Sequence, residues 1–232
     1  MVQWADMKWV FAPWRRGLPR RGGDPTSQTF ELTFSNLVRE TIQNAVDAGS
    51  APGLENRPTG VHFTLIRLED ENRAAYLDSL QWGDLSEHIE ALDASDQPGL
   101  HDRLRAIEVP EKPLWLLNVE DRNCAGLTGD EDGEDTNFTE LVRNLLKSHK
   151  ESEQAGGSIG IGKTVLWQFS GISTVLFNSV IEDVPEWSPR FIGAANLPYH
   201  ASGGRKYYGG GHFGIEEPVP EETDATWAVS LK

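Results

Sequence analysis

Apolar positions three and four apart run from residue 31 to 48. Phe34, Leu37, Val38, Thr41, Ile42, Ala45 and Ala48 share one side of a helix turned at about 100° per residue, and Gly49 follows as a stop. Residues 60–68 (GVHFTLIRL) predict a strand. Residues 71–110 are acidic and helical, broken at Gly83, Pro98 and Pro110, and predict an inserted helical segment. Residues 114–119 (LWLLNV) form a continuous apolar run, the pattern of a buried strand. A glycine-rich acidic loop at 126–136 precedes a helix over 137–150. A second glycine-rich loop at 156–162 opens a helix near Lys163 that runs to about Ser170. Strands follow at 174–181 and 190–197, then a glycine-rich hairpin or loop at 203–214, and a strand begins at Ala225. Residues 1–30 are irregular.

Too few strands alternate with helices for a doubly wound parallel sheet. The order predicts an α+β fold: a mixed, mostly antiparallel sheet with helices on one face and a helical insertion at 71–110. Residues 1–30 read as an N-terminal arm and 31–232 as one domain. The closing strand at 225–232 has no taper after it and suggests the N-terminal part of a longer protein.

Composition narrows the function classes. No apolar run approaches the roughly 18 residues needed to span a bilayer, and no secretory leader opens the chain. Cys124 is the only cysteine, which excludes an intrachain disulfide and fits a reducing cytoplasm. The net charge of −15 argues against a broadly basic nucleic-acid surface. Arg15, Arg16, Arg20 and Arg21 are a local exception, beside Trp4, Trp9 and Trp14. The group reads first as a strap whose tryptophans pack on the domain, and alternatively as a polyanion or partner contact.

Three segments carry candidate chemistry. Glu40, Asn44 and Asp47 are spaced i, i+4, i+7 and fall within a narrow arc of the first helix. A carboxylate with a carboxamide suits a water and a hard cation held together; the plain alternative is a solvated helix face. Asp121 ends the 114–119 run and leads into a loop bearing Gly126 and Leu127, an arrangement suited to a hydrogen bond from an adenine amine or, more plainly, to a turn. Gly157, Ser158, Gly160, Ile161, Gly162, Lys163 and Thr164 form a glycine-rich turn into a helix, whose backbone N–H groups and positive end attract phosphate. Residues 157–164 also satisfy the P-loop spacing. A P-loop needs a buried strand directly before it, and 146–154 are too polar for that.

In order and spacing the three segments resemble the GHKL superfamily of gyrase B subunits, ninety-kilodalton heat-shock chaperones, histidine kinases and MutL. Glu40, Asn44, Asp47 and Ala48 look like its N-box, residues 121–126 like its first glycine box, and 157–163 like its second. The resemblance covers about 31–181 and implies a Bergerat fold that binds ATP with Mg²⁺. Asn123 stands where the first glycine is usual, and Gly126 comes one residue late. By resemblance, Glu40 is the base that activates water, Asn44 the Mg²⁺ ligand, and Asp47 a pocket acid near that base and the nucleotide. Asp121 is the acid that reads adenine, with Gly126 and Leu127 against the base. Gly157, Ser158, Gly160, Ile161, Gly162, Lys163 and Thr164 surround the phosphates, and 128–156 close as a lid. The acidic run 130–135 belongs outside the closed pocket, facing a partner. No phosphoacceptor helix precedes the N-box, so kinase activity is not expected. Relatives couple ATP to dimerisation, which implies a homodimer and a downstream effector. The closest look is to prokaryotic GHKL proteins, some encoded among anti-phage defence genes. Two alternatives stay open: a nucleotide sensor that does not hydrolyse, and a P-loop NTPase using 157–164.

Overall fold

The computed structural model describes residues 3–17, 33–50, 53–54, 57–144, 161–181, 188–219 and 225–232. Among them are eight strands: β1 (Met7–Pro13), β2 (Gly60–Leu68), β3 (Leu114–Arg122), β4 (Thr174–Ser179), β5 (Arg190–Ala195), β6 (His200–Ser202), β7 (Arg205–Pro218) and β8 (Thr226–Val229). The α-helices are α1 (Phe34–Gly49), α2 (Asp70–Ser79), α3 (Trp82–Glu90), α4 (Leu100–Glu108) and α5 (Ile161–Phe169). The molecule is mixed α+β, and all its described strand pairs are antiparallel.

The strands form two sheets rather than one. The larger runs β1-β7-β5-β4, with β6 and β8 also paired to β7. The 14-residue β7 is its spine. Residues 205–207 meet β6, 211–213 meet β5 and 215–218 meet β8, while β1 pairs along residues 207–215. Gly211 and Gly193 let aromatic rings press onto this spine: a Cβ on Gly211 would run into the Phe11 ring, and one on Gly193 would reach Phe213. The smaller sheet is the β2–β3 ribbon, in register from Gly60 opposite Arg122 to Leu68 opposite Leu114.

Neighbouring residues of a strand point to opposite faces, and β5 shows what each face carries. Ala195 joins a core of Met7, Trp9, Phe11, Leu85, Ile89, Leu100, Leu104 and Phe213, where α3 and α4 cover the sheet. Ala194 joins a second core of Leu127, Phe138, Val142, Trp167, Phe177 and Ile192, where α5 and the segment 127–142 cover the opposite face. Indole N–H groups tie both layers down: Trp9 donates to Leu80 O at 2.9 Å and Trp167 donates to Ala194 O at 2.9 Å. Helices therefore lie on both faces, where the sequence predicted one. The inserted segment 71–110 is helical as expected and supplies one whole layer.

Other expectations are corrected. Residues 1–30 are not irregular throughout, because Met7–Pro13 is a strand of the main sheet with Met7, Trp9 and Phe11 in its core. Residues 114–119 are strand, but not buried: Trp115 and Leu117 are exposed, as are Leu65 and Ile66 on the partner strand. Within 137–150 the described part holds one π-helical turn, Thr139–Arg143. Phe34 and Ile42, assigned to the buried side of the first helix, are exposed. Among the described residues no helix is long and apolar enough to cross a membrane.

Candidate functional site

Helix α1 organises the site. Thr33 caps it, its hydroxyl accepting from the Asn36 N–H at 3.2 Å. The helix buries Leu37 and Ala45, and packs along α5. Glu40 and Asn44 flank that buried side and are half-buried; Asp47, one turn on, is exposed and accepts from the Gln43 amide at 2.8 Å.

Glu40 has its two carboxylate oxygens in different surroundings. Arg39 donates to Oε1, from Nε at 3.1 Å and from its terminal nitrogen at 2.8 Å. Oε2 turns toward Gly162 in the first turn of α5, so close that a Cβ there would collide with it. Gly162 is buried, and only a glycine permits this approach. Glu40 Oε2 thus lies against the first turn of α5, the end of a helix that carries the positive half of its dipole.

The Asp121 segment reaches α1 at its other end. The Ala125 N–H donates to Ala48 O at 3.1 Å, and the Cys124 thiol to Ala45 O at 3.3 Å. Asn123 holds φ at 58° and Gly126 at 66°, both left-handed. Asparagine tolerates that region better than other side chains, so Asn123 supplies the turn expected of a glycine, its amide donating to Pro58 O at 2.7 Å. At Gly126 a Cβ would meet Ser179 Oγ at 2.8 Å and Ile181 Cγ1 at 2.9 Å. Asp121 itself lies on the exposed end of β3, not at the end of a buried strand. Burial pushes the Cys124 thiol up to about 11, and the Asp121 carboxylate adds to it.

The structure therefore brings Glu40 and Gly162 into contact, and draws the 123–126 loop onto the same helix. Gly157, Ser158 and Gly160 lie outside the described residues, as do the side chains of Ile161 and Lys163. Thr164 is buried on α5. Leu127 is core: its N–H donates to Ser179 Oγ at 3.0 Å. Arg15 and Arg16 are exposed, and Arg20 and Arg21 lie outside the described residues. The 157–164 P-loop spacing lacks its frame among the described strands, since none pair in parallel.

Sequence reasoning missed a buried ionic tether. Arg190, 0% exposed at the start of β5, donates to Leu127 O at 2.7 Å and Gly129 O at 2.9 Å. Its partner acid is Glu131, whose carboxylate also accepts the Ser230 N–H at 2.9 and 3.0 Å and pairs with Arg143 at 3.3 Å. Glu131 belongs to the acidic run placed outside the pocket to face a partner; the structure instead turns it inward, onto β5 and the end of the chain. The available signal was an arginine opening an apolar strand, which has to find an acid. Two open clefts of about 340 and 290 Å³ flank this tether, lined by acids including Asp130, Asp132, Glu134 and Glu217, and share no residue with α1.

No protein-family model matches the chain, and neither a curated protein nor a solved structure matches it.

Proposed function

We propose that the chain is an ATP-binding and ATP-hydrolysing domain of the GHKL, Bergerat-fold type. The observation that carries the reading is the contact between Glu40 and Gly162, with the 123–126 loop seated on the same helix. Three segments far apart in sequence thereby meet at α1, which supports the reading. The antiparallel sheets favour it over the P-loop alternative.

Phosphoryl transfer to water rests on positioning and on charge neutralisation. Glu40 Oε2 is the oxygen free to accept a proton from water, since Oε1 is engaged by Arg39. The N–H groups opening α5 face the phosphates. Asn44 lies one turn beyond Glu40 and offers a hard carboxamide oxygen. Asn44 would hold Mg²⁺ together with phosphate oxygens. The ion would neutralise charge developing on the phosphates. Asp121 reads the adenine amine from its exposed strand end, and Asp47 is the acid near the base and the nucleotide. ATP binding drives dimerisation as a switch for a downstream effector, with prokaryotic defence as the setting.

A second reading is favoured by the Arg39 contact: the guanidinium occupies one of the two Glu40 oxygens and fixes the side chain as a structural ion pair, and the domain then senses ATP without hydrolysing it. Calorimetry with a non-hydrolysable ATP analogue and Mg²⁺, paired with phosphate release, separates the two. The expected result is binding by the wild-type protein, binding without phosphate release for Glu40→Gln, and no binding for Asp121→Asn. Wild-type binding without turnover selects the sensor. Full turnover by Glu40→Gln removes the base assignment, and no binding by the wild-type protein removes the whole reading.

A further inference from the structure

Away from α1, two histidines meet where the helical layer crosses the β6–β7 hairpin. His88 Nδ1 of α3 lies 2.7 Å from His200 Nε2 of β6, and His200 Nδ1 lies 2.9 Å from Pro198 O. A carbonyl only accepts, so His200 carries a proton on Nδ1. In the neutral ring Nε2 is then a lone pair, filled by a proton on His88 Nδ1. Two neutral imidazoles thus share one N–H···N bond, with His200 held at its other nitrogen by Pro198. One added proton leaves a single N–H between the rings. A second puts two N–H groups face to face, and the contact is lost.

The surroundings resist even the first proton. The Phe11 ring of β1 lies 3.7 Å from His88 and nearly parallel to it, at 16°. Tyr207 of β7 stacks on His200 at 5.3 Å and meets His88 edge-on at 4.6 Å. Among the described residues, the ionisable groups in contact with the pair or acting on it are Glu87 on α3 and the Tyr207 phenol on β7, and β1 meets it with Phe11. Glu87 is itself engaged, accepting from Ser202 Oγ of β6 at 2.6 Å. Burial holds His88 down to about 4, with His200 adding to the effect and Glu87 opposing it. Burial also lowers His200, against the Pro198 carbonyl.

We propose that this pair is an acid-released catch, which fastens α3 to the β6–β7 hairpin while both rings are neutral and frees that end of the helical layer once both are protonated. The closed joint binds fewer protons than the open one, so acid favours opening. The window runs from the ordinary histidine range near 6.5 down to about 4 for His88. The catch is independent of the nucleotide site, since none of its residues touches α1 in the contacts described above.

Two measurements on the whole chain test it. Long-range proton–nitrogen spectra read tautomer and titration directly: both rings are expected as Nδ1–H forms, still neutral at pH 6. Amide exchange of α3 is then followed relative to β4 and β5 as an internal reference. Opening of α3 is expected to rise by about tenfold or more between pH 7 and 4.5. In the double variant His88→Asn with His200→Gln, the amides reproduce the Nδ1 donor and the Nε2 acceptor without titrating, and the rise is expected to vanish. Titration of both histidines near 6.5 overturns the proposal, and so does an unchanged rise in the double variant. If that variant does not fold, the wild-type titration alone decides.

Discussion

At Asn123 a side chain occupies backbone geometry usually left to glycine, with φ at 58°. Asn123→Gly is expected to change stability by less than about 1 kcal/mol, because the relief of the left-handed backbone offsets the lost bond to Pro58. Asn123→Val is expected to cost about 1–2 kcal/mol, since a β-branched residue has no ease in that region. Urea denaturation of the two variants checks both. Gly162 poses the reverse case, where space rather than φ is limiting. A Cβ there drives into Glu40 Oε2, so Gly162→Ala is expected to lose phosphate release while unfolding at a similar denaturant concentration. Normal turnover in that variant would remove the argument from close approach. The i, i+4, i+7 spacing of Glu40, Asn44 and Asp47 was legible in sequence. The division of labour between the two oxygens of Glu40 was not, because it depends on a glycine more than a hundred residues away.

Elements were legible where periodicity is local. Helix α1 and strand β2 follow their patterns closely, and Pro98 and Pro110 fall at breaks of the helical layer, whereas Gly83 lies inside α3 and the first break comes at Leu80 and Gln81. The 114–119 run misled because continuous apolarity shows that a strand is favoured and not what covers it. Leu65 faces Leu117 and Ile66 faces Leu116 on opposite sides of a two-stranded ribbon, so no choice of one inner face accounts for both pairs. Strand β1 was missed because its apolar stretch is short and adjoins a segment rich in arginine, glycine and proline. The tether of Arg190 and Glu131 joins the 127–131 loop to β5 and to Ser230 just after β8; the arginine opening β5 was its one local signal, and nothing local marked Glu131 as the acid. Arg190→Met leaves Glu131 buried beside one remaining arginine and is expected to cost about 3–5 kcal/mol. Adding Glu131→Gln is expected to recover part of that loss. Denaturant midpoints of the two variants measure it, and equal midpoints for Arg190→Met and the wild-type protein would exclude an energetic role for the tether.

For the molecule as a whole, neutral buried histidines set the response to acid. His212 lies in β7 between β1 and β5, and burial holds it down to about 3, with Arg143 adding to the effect. Its folded-state value is below the ordinary one, so the unfolded chain binds the extra proton first. Stability is therefore full above about pH 6.5 and falls as pH drops through the window toward 3. His212→Gln is expected to flatten that fall, as read from thermal midpoints at pH 7 and pH 5; an unchanged slope would assign the acid response elsewhere. The length of β7 has a different consequence, in time rather than energy. Met7 and Val229 both align with Ile215, so β1 has no strand partner until the ribosome has delivered about two hundred residues more. Throughout that interval only the helical layer can cover Trp9 and Phe11, which reach Leu80 and His88, so the ribbon of β1 has to wait on α3 and α4 before it joins its sheet.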